Sequence, residues 1–160
     1  MTAKQSRARL IALFLPLVLL VGAWGSQLIG GLVPCEMCHW QRWPHYAAVA
    51  IAAFAFVVPG RSSKLTMIAL AAGLIALSGA IGVFHAGVEY HWWHGITACS
   101  TSLTGEGIST DEMLRRILAA PVVRCDAAQW TLFGISLAGY NAILSLGGAG
   151  LIAWLIGRPR

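Results

Sequence analysis

The 160-residue chain has four cysteines, at positions 35, 38, 99 and 125. Cys35 and Cys38 are separated by two residues, the spacing of redox-active dithiols rather than of a loop clamp. Pro34 suits the first position of a helical turn, which places both sulfurs near a helix N-terminus whose partial positive charge favours thiolates. Arg42 follows Cys38 by four residues and Cys35 by seven, so a helical turn puts all three on one face. A cation there lowers a thiol pKa, although an arginine at the end of a membrane span also serves as a snorkelling anchor. Gln41 adds a polar partner at the same level. Cys99 and Cys125 lack such a spacing, and a structural staple accounts for them as well as a redox role does.

Other chemistries compete for these residues. Residues 35–39 read C-E-M-C-H, which is also the c-type haem attachment pattern, with His39 as iron ligand in a membrane-anchored cytochrome. Only four residues separate His39 from Pro44, leaving little chain to wrap a porphyrin, and Cys99 and Cys125 then have no role. A zinc site from all four cysteines is disfavoured because the second pair does not repeat the C-x-x-C spacing. Glu89, His91 and His94 could be gathered round a metal, but histidines beside Trp92 and Trp93 read more simply as part of an interfacial belt. No metal is expected. His85 lies near the outer end of an apolar run, where a polar residue is a functional candidate by default. His39 and His45 stay unassigned.

The elements that must position these groups follow from the charges. Apolar residues make up 58% of the chain and charged ones 11%, with a mean hydropathy of +0.71, against roughly 25% charged in a soluble domain. No Lys, Arg, Asp or Glu occurs in residues 10–35, 43–60, 65–88 or 127–157. Each run accommodates one helix of about 20 residues. This excludes a soluble enzyme, a secreted disulfide mini-protein, a disordered chain and an outer-membrane barrel with its period-two alternation. The expectation is an all-α membrane protein of one domain, residues 1–160, a four-helix transmembrane bundle. Its spans lie near 10–30, 43–60, 65–88 and 134–157, and its outer loops near 31–42 and 89–133. The first run is too long for a signal-peptide core and reads as an uncleaved helix. Pro44 restricts Trp43, so a break is expected between the cysteine turn and the second span.

Topology follows from the basic residues. Lys4, Arg7, Arg9, Arg61, Lys64, Arg158 and Arg160 occupy alternate connecting segments without acidic neighbours, while all six acids fall in the other two. The positive-inside rule then puts both termini in the cytoplasm and every cysteine outside. The net charge of +5 reflects this asymmetry rather than a nucleic-acid surface. Within the long outer loop, residues 99–110 have the composition of a mobile loop. Residues 110–120 show helical periodicity, with Thr110 as N-cap, which predicts a short amphipathic helix on the membrane or against protein. Gly73, Gly79 and Gly82, with Ala69, Ala72, Ala76 and Ala80, give the third span small residues for close packing.

The runs P-C-E-M-C-H-W-Q-R at residues 34–42 and R-C-D-A-A-Q-W-T-L-F-G-I-S at residues 124–136, on four spans with Cys99 upstream, resemble the DsbB disulfide-bond formation proteins over essentially the whole chain. Met37 stands where many members have Leu, a volume-conserving change. The vitamin K epoxide reductase family has a related architecture, but its C-x-x-C lies late in the bundle. The resemblance implies a protein-disulfide oxidoreductase of the bacterial inner membrane with Cys35, Cys38, Cys99 and Cys125 as catalytic residues. A reduced DsbA-like periplasmic dithiol oxidase would attack a Cys99/Cys125 disulfide at Cys99. Cys125 would then attack Cys35, releasing Cys38 against ubiquinone or menaquinone from the membrane pool, with Arg42 and His85 bordering the quinone. The resemblance thus implies a place in the DsbA, DsbB and quinone relay that keeps the bacterial periplasm oxidising.

Overall fold

The computed structural model of the chain describes residues 2–97, 109–111, 114–115 and 123–157. Four long helices follow the uncharged runs: α1 Ala3–Leu28, α2 Glu36–Val57, α3 Arg61–Glu89 and α4 Leu137–Gly157. Thr2 starts α1 with a reciprocal cap. Its hydroxyl accepts the Gln5 N–H at 3.3 Å while the Gln5 side chain accepts the Thr2 N–H at 3.1 Å, satisfying two backbone donors that a helix start leaves unpaired. α1, α3 and α4 are each long and apolar enough to cross a membrane. α2 has 22 residues, about 33 Å at the α-helical rise and so long enough, but Glu36, His39, Gln41, Arg42 and His45 make its first ten residues polar.

The helices are packed as a square. α3 lies between α2 and α4, and α1 closes the other side against the same two helices. Small residues set the spacing. Ala8, Ala12, Ala48, Ala52, Ala55 and Ala71 are fully buried with Ile68, Ile75 and Ile152, forming an apolar core at the end that holds the N-terminus of α1. Against α4, a Cβ on Gly82 would lie 3.0 Å from the Ala138 carbonyl and 3.1 Å from the Ala142 nitrogen, and one on Gly79 would meet Leu146 at 2.8 Å. The expected small-residue surface is thus divided: Gly79, Gly82 and Ala72 are buried, while Ala69, Gly73 and Ala80 face outward.

Two features differ from the sequence expectation. α2 runs unbroken through Pro44. Pro44 removes the N–H that the Trp40 carbonyl would accept, a loss that the packing of neighbouring helices tolerates in a membrane bundle; one residue on, the Gln41 carbonyl accepts the Ser78 hydroxyl of α3 at 2.8 Å. The start of the fourth run is also not helical at first. β1 Thr131–Leu132 and β2 Ile135–Ser136 form an antiparallel hairpin, whose two-residue turn has φ of 51° at Phe133 and 77° at Gly134, the left-handed pair that suits strand twist. The Tyr90 hydroxyl donates to the Gly134 carbonyl and accepts the Ser136 N–H, both at 2.9 Å, tying the hairpin to the end of α3. Of the amphipathic helix expected over 110–120, Thr110, Asp111, Leu114 and Arg115 are helical and exposed; the rest lies outside the described residues, as does Cys99.

Gly82→Ala places a methyl against backbone that cannot yield and is expected to cost about 1 to 3 kcal/mol of stability. Gly73→Ala has nothing within 4 Å and is expected to be neutral or to stabilise α3 by up to about 1 kcal/mol. Denaturant-induced unfolding of both variants in one detergent checks the pair.

Candidate functional site

Cys35 is the N-cap of α2, and Pro34 precedes the cap rather than opening the helix. The Cys35 sulfur occupies the place usually filled by a serine or aspartate oxygen, accepting the Cys38 N–H at 3.3 Å. This geometry brings the Cys38 sulfur to 2.9 Å from that of Cys35. Cys35 is buried with Met37, Val88 and Cys125, and the side-chain contacts of Cys35, His85 and Cys125 lie within 4.8 Å of one another. In the reduced pair, the hydrogen bond to Cys38 and then burial push the Cys35 thiol well above its ordinary range.

Cys125 comes from a segment distant in sequence, and two contacts fix it. The Gln129 side-chain amide binds both backbone groups of Val33, accepting the N–H at 3.1 Å and donating to the carbonyl at 2.6 Å, like one rung of a sheet. On either side of Cys125, Arg124 and Asp126 form a two-pronged ion pair at 2.8 and 2.6 Å, which holds the Asp126 carboxyl below the usual carboxylate range. The outer segments are thereby joined with Cys125 beneath them.

A cavity of about 370 Å³ opens beside the sulfurs, lined by Cys35, Cys38, Arg42, His45, His85 and Asn141 among others. That lies within the range of small-molecule sites. Arg42 is 8% exposed. Its guanidinium donates to the Gln27 side-chain oxygen at 2.8 Å and the Ala23 carbonyl at 3.1 Å, and it lies over the Trp24 ring. It is held by α1 at the cavity wall, where an anchor would extend to the headgroups. His85, 2% exposed, has Nε2 3.5 Å from the Cys35 sulfur and 3.8 Å from a Glu89 oxygen. His91 and His94 are exposed beyond α3, and the metal-ligand grouping found among the described residues, Cys35, His85 and Cys125, does not include them.

The sequence reading missed a buried polar network below the cavity. Asn141 of α4 reaches across the bundle and donates to the Gln41 side-chain oxygen at 2.8 Å and to the Ser78 carbonyl at 3.2 Å. His45 Nε2 lies 3.0 Å from the Asn141 oxygen and 2.9 Å from the Ser78 hydroxyl, and Ser145 donates to Asn141 at 3.0 Å. The available signal was the single asparagine in an otherwise apolar run. His39 is exposed, and the sulfur that haem attachment would require from Cys35 is instead packed against Cys125.

The model of the family described as disulfide bond formation protein DsbB matches residues 5–155, and the chain belongs to that family. It is similar to an uncharacterized protein of Rickettsia prowazekii (strain Madrid E), 22% identical over 138 residues, covering 86% of this chain and 79% of the relative. No solved structure matches.

The approach of Cys125 to Cys35 predicts a cross-link. In a Cys38→Ser, Cys99→Ser variant, mild oxidation is expected to join Cys35 to Cys125, because sulfurs this close reach bonding geometry by side-chain rotation. Gln129→Ala on that background is expected to slow the reaction severalfold. Peptide mapping by mass spectrometry reads both results, and absence of the link would contradict the apposition.

Proposed function

We propose that the protein oxidises a thioredoxin-fold dithiol protein of the DsbA type and passes the two electrons to a membrane quinone. One observation carries this reading: the Cys125 sulfur stands next to that of Cys35, which is 2.9 Å from Cys38, and both Cys35 and Cys38 line a cavity suited to a small molecule. The partner thiolate attacks Cys99 of a Cys99–Cys125 disulfide, forming a mixed disulfide and freeing Cys125. The second partner thiolate then resolves that bond and leaves with the partner disulfide. Cys125 attacks Cys35 in a Cys35–Cys38 disulfide and releases Cys38 as a thiolate. Cys99 re-forms its bond with Cys125 and releases Cys35. The resulting dithiol gives two electrons and two protons to the quinone, which becomes hydroquinone, and the Cys35–Cys38 disulfide returns. Each turn oxidises one dithiol and reduces one quinone.

The residues present fit such an acceptor. Arg42 offers a fixed cation at the cavity wall and His85 a second polar group, while apolar side chains from α1 and α4 complete the lining. Ubiquinone and menaquinone both have the required pair of ring oxygens. In this reading all four helices cross the inner membrane of a bacterium, both termini are cytoplasmic and the cysteines face the periplasm. The basic residues of the chain ends and of the α2–α3 turn support that orientation.

Oxidation of a reduced DsbA-type partner with a soluble quinone, followed by quinone absorbance, tests the reaction. Cys35→Ser and Cys38→Ser are each expected to abolish quinone reduction while quinone still binds. Near-native turnover in either would refute the relay. Arg42→Lys is expected to lower quinone affinity or turnover, since an ammonium cannot reproduce the paired donors to Gln27 and Ala23. Arg42→Met should be worse, by roughly five- to 150-fold, corresponding to about 1 to 3 kcal/mol for a hydrogen bond to a charged group. Unchanged kinetics in both variants would make Arg42 an anchor. Separately, a membrane-impermeant thiol reagent is expected to label the reduced protein in intact spheroplasts; protection of all four cysteines would reverse the topology.

A further inference from the structure

Counting donors and acceptors around Gln41 fixes the proton of a histidine that the reaction scheme above leaves unassigned. Asn141 is oriented by its own contacts: its nitrogen donates to the Ser78 carbonyl, and its oxygen accepts the Ser145 hydroxyl. That nitrogen also donates to the Gln41 side-chain oxygen at 2.8 Å. Gln41 is oriented a second time from the other end, because its nitrogen donates to the Met37 carbonyl at 3.2 Å. The same nitrogen lies 2.7 Å from His85 Nδ1. An amide nitrogen has hydrogens and no acceptor capacity, so Nδ1 must accept and the neutral ring carries its proton on Nε2. The surroundings of Nε2 agree: the Cys35 sulfur at 3.5 Å and a Glu89 carboxyl oxygen at 3.8 Å can both accept.

We propose that Gln41, held in register by Asn141, is a positioning residue that keeps His85 in the Nε2–H form, aiming a hydrogen-bond donor at the Cys35 sulfur. This rests on the reading of Cys35 and Cys38 as the redox pair. The donor matters at the step where Cys35 must give up its proton and close the disulfide, because burial opposes charge on that sulfur and, among the described residues, the other N–H aimed at it is that of Cys38. The same assignment bears on metal binding. Cys35, Cys125 and His85 have three suitable donor atoms close together, but a metal held by His85 Nε2 would displace the proton there and need the whole Asn141–Gln41–His85 chain reversed.

The full-length protein, labelled with ¹⁵N-histidine and reduced in lipid nanodiscs without quinone, reports the tautomer through its two ring-nitrogen shifts, with His85→Asn identifying the signals. The expected wild-type result is Nε2–H. Gln41→Glu, an acceptor of the same shape, is expected to move the proton to Nδ1, and Gln41→Met to give a mixture. A wild-type ring protonated on Nδ1, or a Gln41→Glu ring unchanged from wild type, overturns the proposal. Alkylation of Cys35 in a Cys38→Ser background supplies a chemical readout: its pH profile is expected to move upward in Gln41→Met, with roughly tenfold slower reaction near neutral pH. An unmoved profile overturns the role in thiolate support. Both measurements are independent of quinone turnover. A wild type with the expected tautomer and profile but no quinone reduction would sustain this inference while refuting the proposed function.

Discussion

The structure depends on a sulfur doing the work of a helix cap. A helix start leaves backbone N–H groups unpaired, and here the pairing falls to Cys35, whose sulfur accepts from Cys38. One contact thus begins α2, folds the two thiols towards each other and sets them at the positive end of the helix. Had the cap been serine, the helix would begin equally well and the chemistry would be lost. Had Cys35 lain one residue further into the helix, its sulfur would point along the helix side instead of over its end. The remaining architecture holds this end of α2 in place: Gln129 fixes the preceding strand-like segment, α1 takes the Arg42 guanidinium, and α3 supplies His85.

Below that cap the bundle changes character by layers. Thiols and aromatic rings give way to amides, hydroxyls and imidazoles, and these to alanine and isoleucine. The middle layer is costly in an apolar surrounding unless its groups satisfy one another, which explains why Gln41, Ser78, Asn141 and Ser145 are bound so densely. Ser78 serves twice, donating to the carbonyl near Pro44 and receiving His45.

Much of this was legible in the sequence where the signal was local or one-dimensional. Uncharged runs located the helices, because charge is excluded from a bilayer along a continuous stretch of chain. The C-x-x-C spacing and Arg42 indicated a thiol site. His85 was singled out because it interrupts an apolar run. What escaped was the pairing of residues distant in sequence. Gln129 is one polar residue among several until Val33 is seen beside it, and Asn141 has no meaning without the opposite face of α2. Pro44 misled because the rule for the residue before proline is a local preference that takes no account of packing against neighbouring helices, and α2 stays helical through Trp43. The Phe133–Gly134 turn lay hidden because its flanking strands have only two residues each, too short for alternation to register.

The alanine-rich end has an electrical consequence. Ala8, Ala12, Ala48, Ala52 and Ala55 close the helices upon one another with no exposed surface, so along these side chains a proton finds no polar step. In the proposed reaction the thiol protons and the electrons both start on the cysteine side and leave together on the hydroquinone. No net charge then crosses the bilayer within the protein. Such an oxidase would work at the same driving force whether the membrane is energised or not, and any contribution to the proton gradient would be made downstream, where the hydroquinone is reoxidised.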